Sequence, residues 1–221
     1  MTTDRTGHPT LTERRTFTHR ELARVPPGTS SEPLVDARAH DPAIAAAPVA
    51  GGGIVVRATV ARMLATANAH LAAGGLRLCI SDGHRPAERQ ERYFRETRDA
   101  LRRAHPQLDD EALLDRVHAL SAVPEVAGHP TGGAVDVTLV DRHATELDMG
   151  TPVADVSDAQ HAPTHAAGLT PVQLRNRLTL HDAMVAAGFA PFYGEWWHFS
   201  YGDREWVAFY GEPRAIYGAV R

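Results

Sequence analysis

Two short segments of this chain bring histidine and carboxylate residues together at spacings that suit a hydrolytic metal site. The first is Gly128-His129-Pro130-Thr131-Gly132-Gly133-Ala134-Val135-Asp136, and the second is Glu195-Trp196-Trp197-His198. A catalytic zinc takes three protein ligands and keeps a fourth position for water, whose pKa it lowers towards ~7. A nearby carboxylate then accepts the proton as attack begins. The chain has one cysteine, Cys79, which rules out thiolate clusters and intrachain disulfides and leaves His and Asp as ligands. His129, Asp136 and His198 are therefore the candidate ligands for one zinc ion per chain, with Glu195 as the candidate acid/base.

Taken singly, these signals are weak. A His-x-x-Gly segment is more often an ordinary loop, Glu-x-x-His is no more specific, and Trp196 and Trp197 serve equally well as core or interface aromatics. Asp136 differs, because a carboxylate inside the apolar run Ala134–Val140 is costly to bury without a cation or strong donors. Gly132 and Gly133 allow a tight turn between His129 and Asp136. Ala134 shares a strand face with Asp136, and its small side chain leaves room beside the carboxylate. Glu195 and His198 are three residues apart, which on an ideal strand sends them to opposite faces. Both reach one cleft if Glu195 lies in a bend before the strand, as Gly194 permits.

The elements that must hold these residues can be read from the periodicity. Val60, Met63, Leu64, Ala67 and Leu71 recur at three- and four-residue steps, predicting an amphipathic helix over 57–73 that ends at Gly74-Gly75. Leu76–Ser81 reads as a short buried strand, in which Cys79 fits better as a small buried thiol than as a reactive one. Pro86 opens a helix to about Ala104, and Asp109 or Asp110 caps another to Ala119. Residues 134–140 alternate as a half-buried strand. Residues 141–168 form a long loop, assigned to the rim of the site. Thr170-Pro171 starts a helix that stops at Gly188, and strands are expected near 195–201 and 205–210. This order predicts an α+β fold, helices packed on a small central antiparallel sheet that carries a single zinc site.

With 221 residues, 43% hydrophobic and 23% charged, the chain suits one core. Residues 1–30 are polar and read as a flexible N-terminal arm, and 31–221 as a single domain carrying the zinc site. The Gly51-Gly52-Gly53 break argues for irregular structure between them. A net charge of -4 offers no electrostatic case for nucleic acid or an acidic membrane surface. The N-terminus lacks an apolar signal region, so the expected compartment is the cytoplasm. A homo-oligomer is compatible with all of this.

At these residues the chain resembles the VanX-type D-alanyl-D-alanine dipeptidases. That family carries Ser-x-His-x-x-Gly-x-Ala-x-Asp, a later Glu-x-x-His and an upstream Gly-Tyr-Arg-Pro. Here His129, Gly132, Ala134 and Asp136 match the first motif, Glu195 and His198 the second, and Asp82-Gly83-His84-Arg85-Pro86 the third. Asp148-Met149-Gly150-Thr151, Ala187-Gly188-Phe189 and Glu195–Asp203 extend the likeness over roughly 54–212. The resemblance implies a zinc dipeptidase acting on small D,D-dipeptides, in cell-wall recycling or glycopeptide resistance. It implies that Glu195 shuttles the proton to the leaving amine, and that Arg85 binds the oxyanion developing on the scissile carbonyl. Without it, Arg85 reads equally well as a salt bridge at the start of the helix.

Three departures bear on the substrate end. Ala127 stands where the family has Ser, His84 where it has Tyr, and Val35–Ala47 holds no Tyr for the amine-binding part. Asp155, with Asp148 and Asp158 as competitors, is the carboxylate expected to meet the substrate ammonium. Two other readings stay open: a peptidase of the same mechanism with altered substrate, such as a carboxypeptidase or tailoring amidase, and a zinc module without turnover. The last has no use for Glu195 or Arg85.

Overall fold

The computed structural model describes residues 16–49, 53–155 and 160–220, so Gly51, Gly52, Asp158 and the first half of the expected arm lie outside the described residues. In chain order the elements are α1 (His19–Ala23), β1 (Leu34–Asp36), β2 (Ala45–Ala46), β3 (Val55–Arg57), α2 (Ala58–Ala72), β4 (Leu76–Asp82), α3 (Ala87–Ala104), α4 (Asp110–His118), a 3-10 turn (His129–Thr131), β5 (Ala134–Asp141), α5 (Pro171–Ala186), β6 (Ala190–Pro191), β7 (His198–Ser200) and α6 (Arg204–Tyr210). Five strands form one sheet in the order β2-β4-β5-β7-β6, and β1 pairs with β3 beside it. Helices are interspersed among the strands along the chain, and the sheet is antiparallel except for β2 against β4 at one edge.

The expected α+β class holds. Val60, Leu64 and Leu71 of α2 and Leu180 and Met184 of α5 meet Leu78, Ile80, Val135, Val137 and Leu139 of the sheet in one buried core. The two-residue period puts Val135, Val137 and Leu139 on that face and turns Asp136 and Thr138 to the other. β5 is buried on both faces along all but its last residue, where alternation predicts a half-buried strand. The difference arises because the second face carries the site and is covered in turn.

The last expected strand is corrected. Residues 204–210 form α6, whose Trp206, Val207, Phe209 and Tyr210 favour strands intrinsically but sit between a helix start signal and a helix stop signal. The Asp203 carboxylate accepts the Trp206 N–H at 3.0 Å, and Gly211 ends the helix at φ 74°. The strand expected over 195–201 shrinks to β7, because 193–197 turn.

From Thr16 onwards the N-terminal segment carries α1, which is closed by a Thr18–Glu21 capping box and buries Leu22. Further along, Glu32 ties three parts of the chain together. Its carboxylate accepts the Thr59 N–H at 2.7 Å and hydroxyl at 2.6 Å, and the Tyr217 hydroxyl. Burial pushes the Glu32 pKa up, but the hydrogen bonds from Thr59 and Tyr217 outweigh it and hold the carboxyl below its usual range. A carboxyl depressed on folding stabilises above its unfolded value of about 4.3, and that contribution is lost as pH falls through and below it. Glu32→Ala is therefore expected to cost about 1–3 kcal/mol at pH 7 by stranding the Thr59 and Tyr217 donors. The gap in Tm between it and wild type, followed by thermal melts against pH, should narrow below about pH 4.

Candidate metal centre

Asp82, Asp136 and His198 sit side by side on three neighbouring strands. Asp136 pairs with His198 across β5 and β7, and Asp82 pairs with Asp136 across β4 and β5. The second pairing depends on a defect. From Leu76 to Ile80 the register is regular, with Ile80 opposite Val137, and it slips by one residue before Asp82 meets Asp136. In regular register Asp82 shares a face with the core residues Leu78 and Ile80. The bulge at Ser81 re-aims it onto the site face.

His129 reaches the same point from the 3-10 turn that precedes β5. Gly132 ends that turn at φ 74°, and a Cβ there would lie 2.6 Å from the Leu34 side chain, so glycine is required on both counts. His129 Nε2 lies 3.3 Å from one Asp136 oxygen and His198 Nδ1 3.0 Å from the other. One donor atom from each of the three residues falls within 4.8 Å of the others, and all three residues are buried. Burial opposes the Asp136 charge, but His129 and His198 outweigh it and hold the carboxyl far below its ordinary range. Two imidazole nitrogens and a carboxylate, open to a cleft, are a donor set that fits zinc with one position left over.

Glu195 lies in the turn before β7, where its N–H bonds Phe192 O at 3.1 Å and its carbonyl accepts the His198 N–H at 3.2 Å. That turn removes the alternation conflict, so Glu195 and His198 line the same cleft, of about 270 Å3. Burial above all, with the neighbouring charges of Asp136 and Glu205, raises the Glu195 pKa to about 8 against the pull of His198 and Arg85. A divalent cation beside it acts in the opposite direction.

Arg85 lines the cleft too, and it does make the salt bridge that the sequence left as an alternative. Its Nε and NH2 donate to Asp82 Oδ2 at 3.1 and 2.9 Å, and NH1 donates to Gln90 Oε1 at 2.9 Å. Asp82 is fixed in turn by the N–H groups of Gly53 and Gly83, each at 3.0 Å. Three of the five guanidinium N–H bonds are thus committed, and one on each terminal nitrogen is left over. The salt bridge aims the guanidinium rather than occupying it. Asp82 and Gln90 were not singled out as site residues in the sequence, although Asp82 stands within the quoted Asp-Gly-His-Arg-Pro segment.

The remaining predicted residues are distributed unevenly. Ala127 lines the cleft, whereas His84 and Asp155 are not among its lining residues, though Ala154 beside Asp155 is. Asp148 is engaged within the rim loop, accepting from the Gly150 N–H and the Gln173 amide. The buried Arg177 staples that loop to α5, donating to Met149 O and Pro163 O at 2.7 Å each. Its guanidinium lies 5.5 Å over Trp196, which itself donates to Thr151 Oγ1 at 2.9 Å. Trp196 is therefore a strut between rim and sheet, while Trp197 lines the cleft. Cys79 is buried in β4, and burial raises its thiol pKa.

Comparisons with known proteins show which family the chain belongs to. A family model described as D-Ala-D-Ala dipeptidase matches residues 49–214. The D-alanyl-D-alanine dipeptidase of Escherichia coli strain K12 is 34% identical over 125 residues, covering 57% of this chain and 55% of its own length. That of Synechocystis sp. is 32% identical over 131 residues, covering 50% and 53%. The chain thus spans about half the length of these curated relatives. A solved structure of a variant vancomycin-resistance D,D-pentapeptidase VanY in complex with Zn(II) aligns over 89% of this chain and 96% of that one, at 15% identity and a TM-score of 0.48.

Proposed function

The chain belongs to the D-Ala-D-Ala dipeptidase family, and on that premise we propose that it hydrolyses the peptide bond of D-Ala-D-Ala or a closely related small D,D-dipeptide with the help of one zinc ion. The observation that carries the reading is the convergence of His129, Asp136 and His198 with Glu195 and Arg85 on one cleft. His129, Asp136 and His198 would hold the metal. When bound, zinc supplies Lewis-acid polarisation of a carbonyl and lowers the pKa of water towards ~7.

The protein's own groups do the rest. Glu195 takes the proton of the attacking water and returns it to the leaving amine; the burial that raises its pKa also favours its protonated, donating form. The two N–H bonds that Arg85 has to spare would donate to the oxygen on which charge develops. Because Asp82 and Gln90 already fix the fork, little reorganisation is needed as that charge appears. A metal module without turnover has no need of this pair. The domain performing the chemistry is residues 31–221, with Asp155 and His84 proposed near the substrate end.

Metal content and dipeptidase activity measured on the same purified protein test the reading. Zinc at one per chain together with release of D-Ala supports it, and bound zinc with no turnover of D-Ala-D-Ala, N-acylated or longer D,D-peptides removes it. Preference for blocked amines on that panel favours the altered-specificity peptidase. Ala127 offers a finer check, since it lines the cleft where the family has a hydroxyl. Ala127→Ser is expected to lower KM for D-Ala-D-Ala by the worth of one hydrogen bond to a charged group, about 1.5–3 kcal/mol. N-acetylated D-Ala-D-Ala should be unaffected, and an equal gain for both would show that the hydroxyl does not read the free amine.

A further inference from the structure

Each histidine of the cluster has a second ring nitrogen, and the structure gives the two different partners. His129 turns Nδ1 to the Gly83 carbonyl at 2.7 Å, which leaves Nε2 facing Asp136. His198 is mounted the other way round. Its Nδ1 lies 3.0 Å from Asp136, and its Nε2 lies 3.4 Å from Glu205 Oε2.

A neutral imidazole carries one proton, so the nitrogen that offers its lone pair to a metal must leave the proton on the other. The ring is fixed in that tautomer when an acceptor waits beside the protonated nitrogen. For His129 the acceptor is a main-chain carbonyl, built into the turn. For His198 it is a side chain, and that side chain comes from a different element. Glu205 belongs to α6, and its side chain is 15% exposed. Its Oε2 also lies 3.5 Å from Ser200 Oγ, a hydroxyl on the same face of β7 as His198. Sequence and fold thus place one carboxylate over two successive outward positions of the ligand strand.

We infer that Glu205 is a positioning residue, holding the Nε2–H of His198 so that Nδ1 is presented to the metal beside Asp136. The inference rests on the zinc reading of the site proposed above. Glu205 acts through His198, with no part in the bond being broken.

Glu205→Gln and Glu205→Met separate this role from mere packing, since glutamine keeps an acceptor oxygen and methionine keeps length without one. Zinc affinity, read on the whole chain by competition with a chromogenic chelator, should fall about 10–100-fold in Glu205→Met. In Glu205→Gln it should stay within a few-fold of wild type. Melting of the zinc-free proteins checks that both variants fold. The wild type provides a measurement that needs no variant: the His198 Nε2–H proton of the zinc-loaded protein should resonate far downfield and exchange slowly. An unshifted, fast-exchanging proton overturns the bond. Wild-type zinc affinity in Glu205→Met overturns the positioning role while leaving the metal site intact. A wild type that binds no zinc fails the site first, and the inference with it.

Discussion

Glu195→Gln is expected to bind zinc one to one, as the wild type does, while kcat on D-Ala-D-Ala falls by ~10²–10⁴-fold or more. The amide keeps the shape of the carboxylate but has no lone pair basic enough to take a proton from water. Glu195 is held in the turn before β7 by main-chain bonds to Phe192 and His198, so the substitution leaves its position unchanged. Burial and the neighbouring Asp136 and Glu205 raise the carboxyl pKa to about 8, so below that pH glutamine replaces an acid that is already neutral in the zinc-free protein. The zinc-free variant should therefore melt close to wild type, since one neutral group of the same shape replaces another. The combination of intact metal, intact fold and lost turnover is what distinguishes an acid/base from a ligand. Zinc content, a thermal melt and single-turnover kinetics on one preparation decide the matter. A variant that loses zinc in proportion to activity makes Glu195 a ligand, and one that keeps wild-type kcat removes it from the chemistry.

The contrast between what the sequence shows of this site and what it hides follows from distance along the chain. His129, Gly132, Ala134 and Asp136 lie within one turn and one strand, where two-residue alternation and the freedom of glycine suffice to bring the side chains together. Helices α2, α3, α4 and α5 were legible for the same local reason, through apolar spacing and caps such as Asp109 and Thr170. The Glu195–His198 geometry was only conditionally legible, because it needed a turn that Gly194 allowed without requiring. Asp82 was hidden by the bulge in β4. A one-residue register slip leaves no mark in the composition of Leu76–Asp82, yet it decides whether that carboxylate faces the core or the cleft. Glu205 was hidden by a wrong element. Trp206, Val207, Phe209 and Tyr210 read as strand on propensity, whereas Asp203 at the cap and Gly211 at the end make a helix. As a helix this segment delivers Glu205 to His198, a contact that pairing as a strand gives no reason to expect.

Asp136→Asn should have the largest effect on the metal itself. Asp136 is 2% exposed and meets three cationic or donor side chains at once: His198 at 3.0 Å, His129 at 3.3 Å and Arg85 at 3.7 Å. Burial opposes its charge, and the histidines overcome that opposition so far that the carboxyl is held well below the ordinary range. Asparagine fills the same volume but supplies no charge, and its amide nitrogen is a donor where the site needs an acceptor. Outer-shell partners of a metal ligand are worth about 10–100-fold in affinity, so loss of a charged ligand itself should lower zinc affinity by ~10²-fold or more. Chelator competition measures this directly. Turnover should return in part at high zinc, because Glu195 and Arg85 are untouched, and that recovery separates the variant from Glu195→Gln, which no amount of zinc restores. The same substitution distinguishes a metal site from a plain ion-pair network. In a network of protein charges alone, neutralising Asp136 leaves Arg85 and His198 without their shared partner and lowers stability whether or not zinc is present. In a metal centre, the deficit in Tm widens when zinc is added, since the wild type gains more from binding than the weakened variant does. Equal deficits with and without zinc would take Asp136 out of the ligand set.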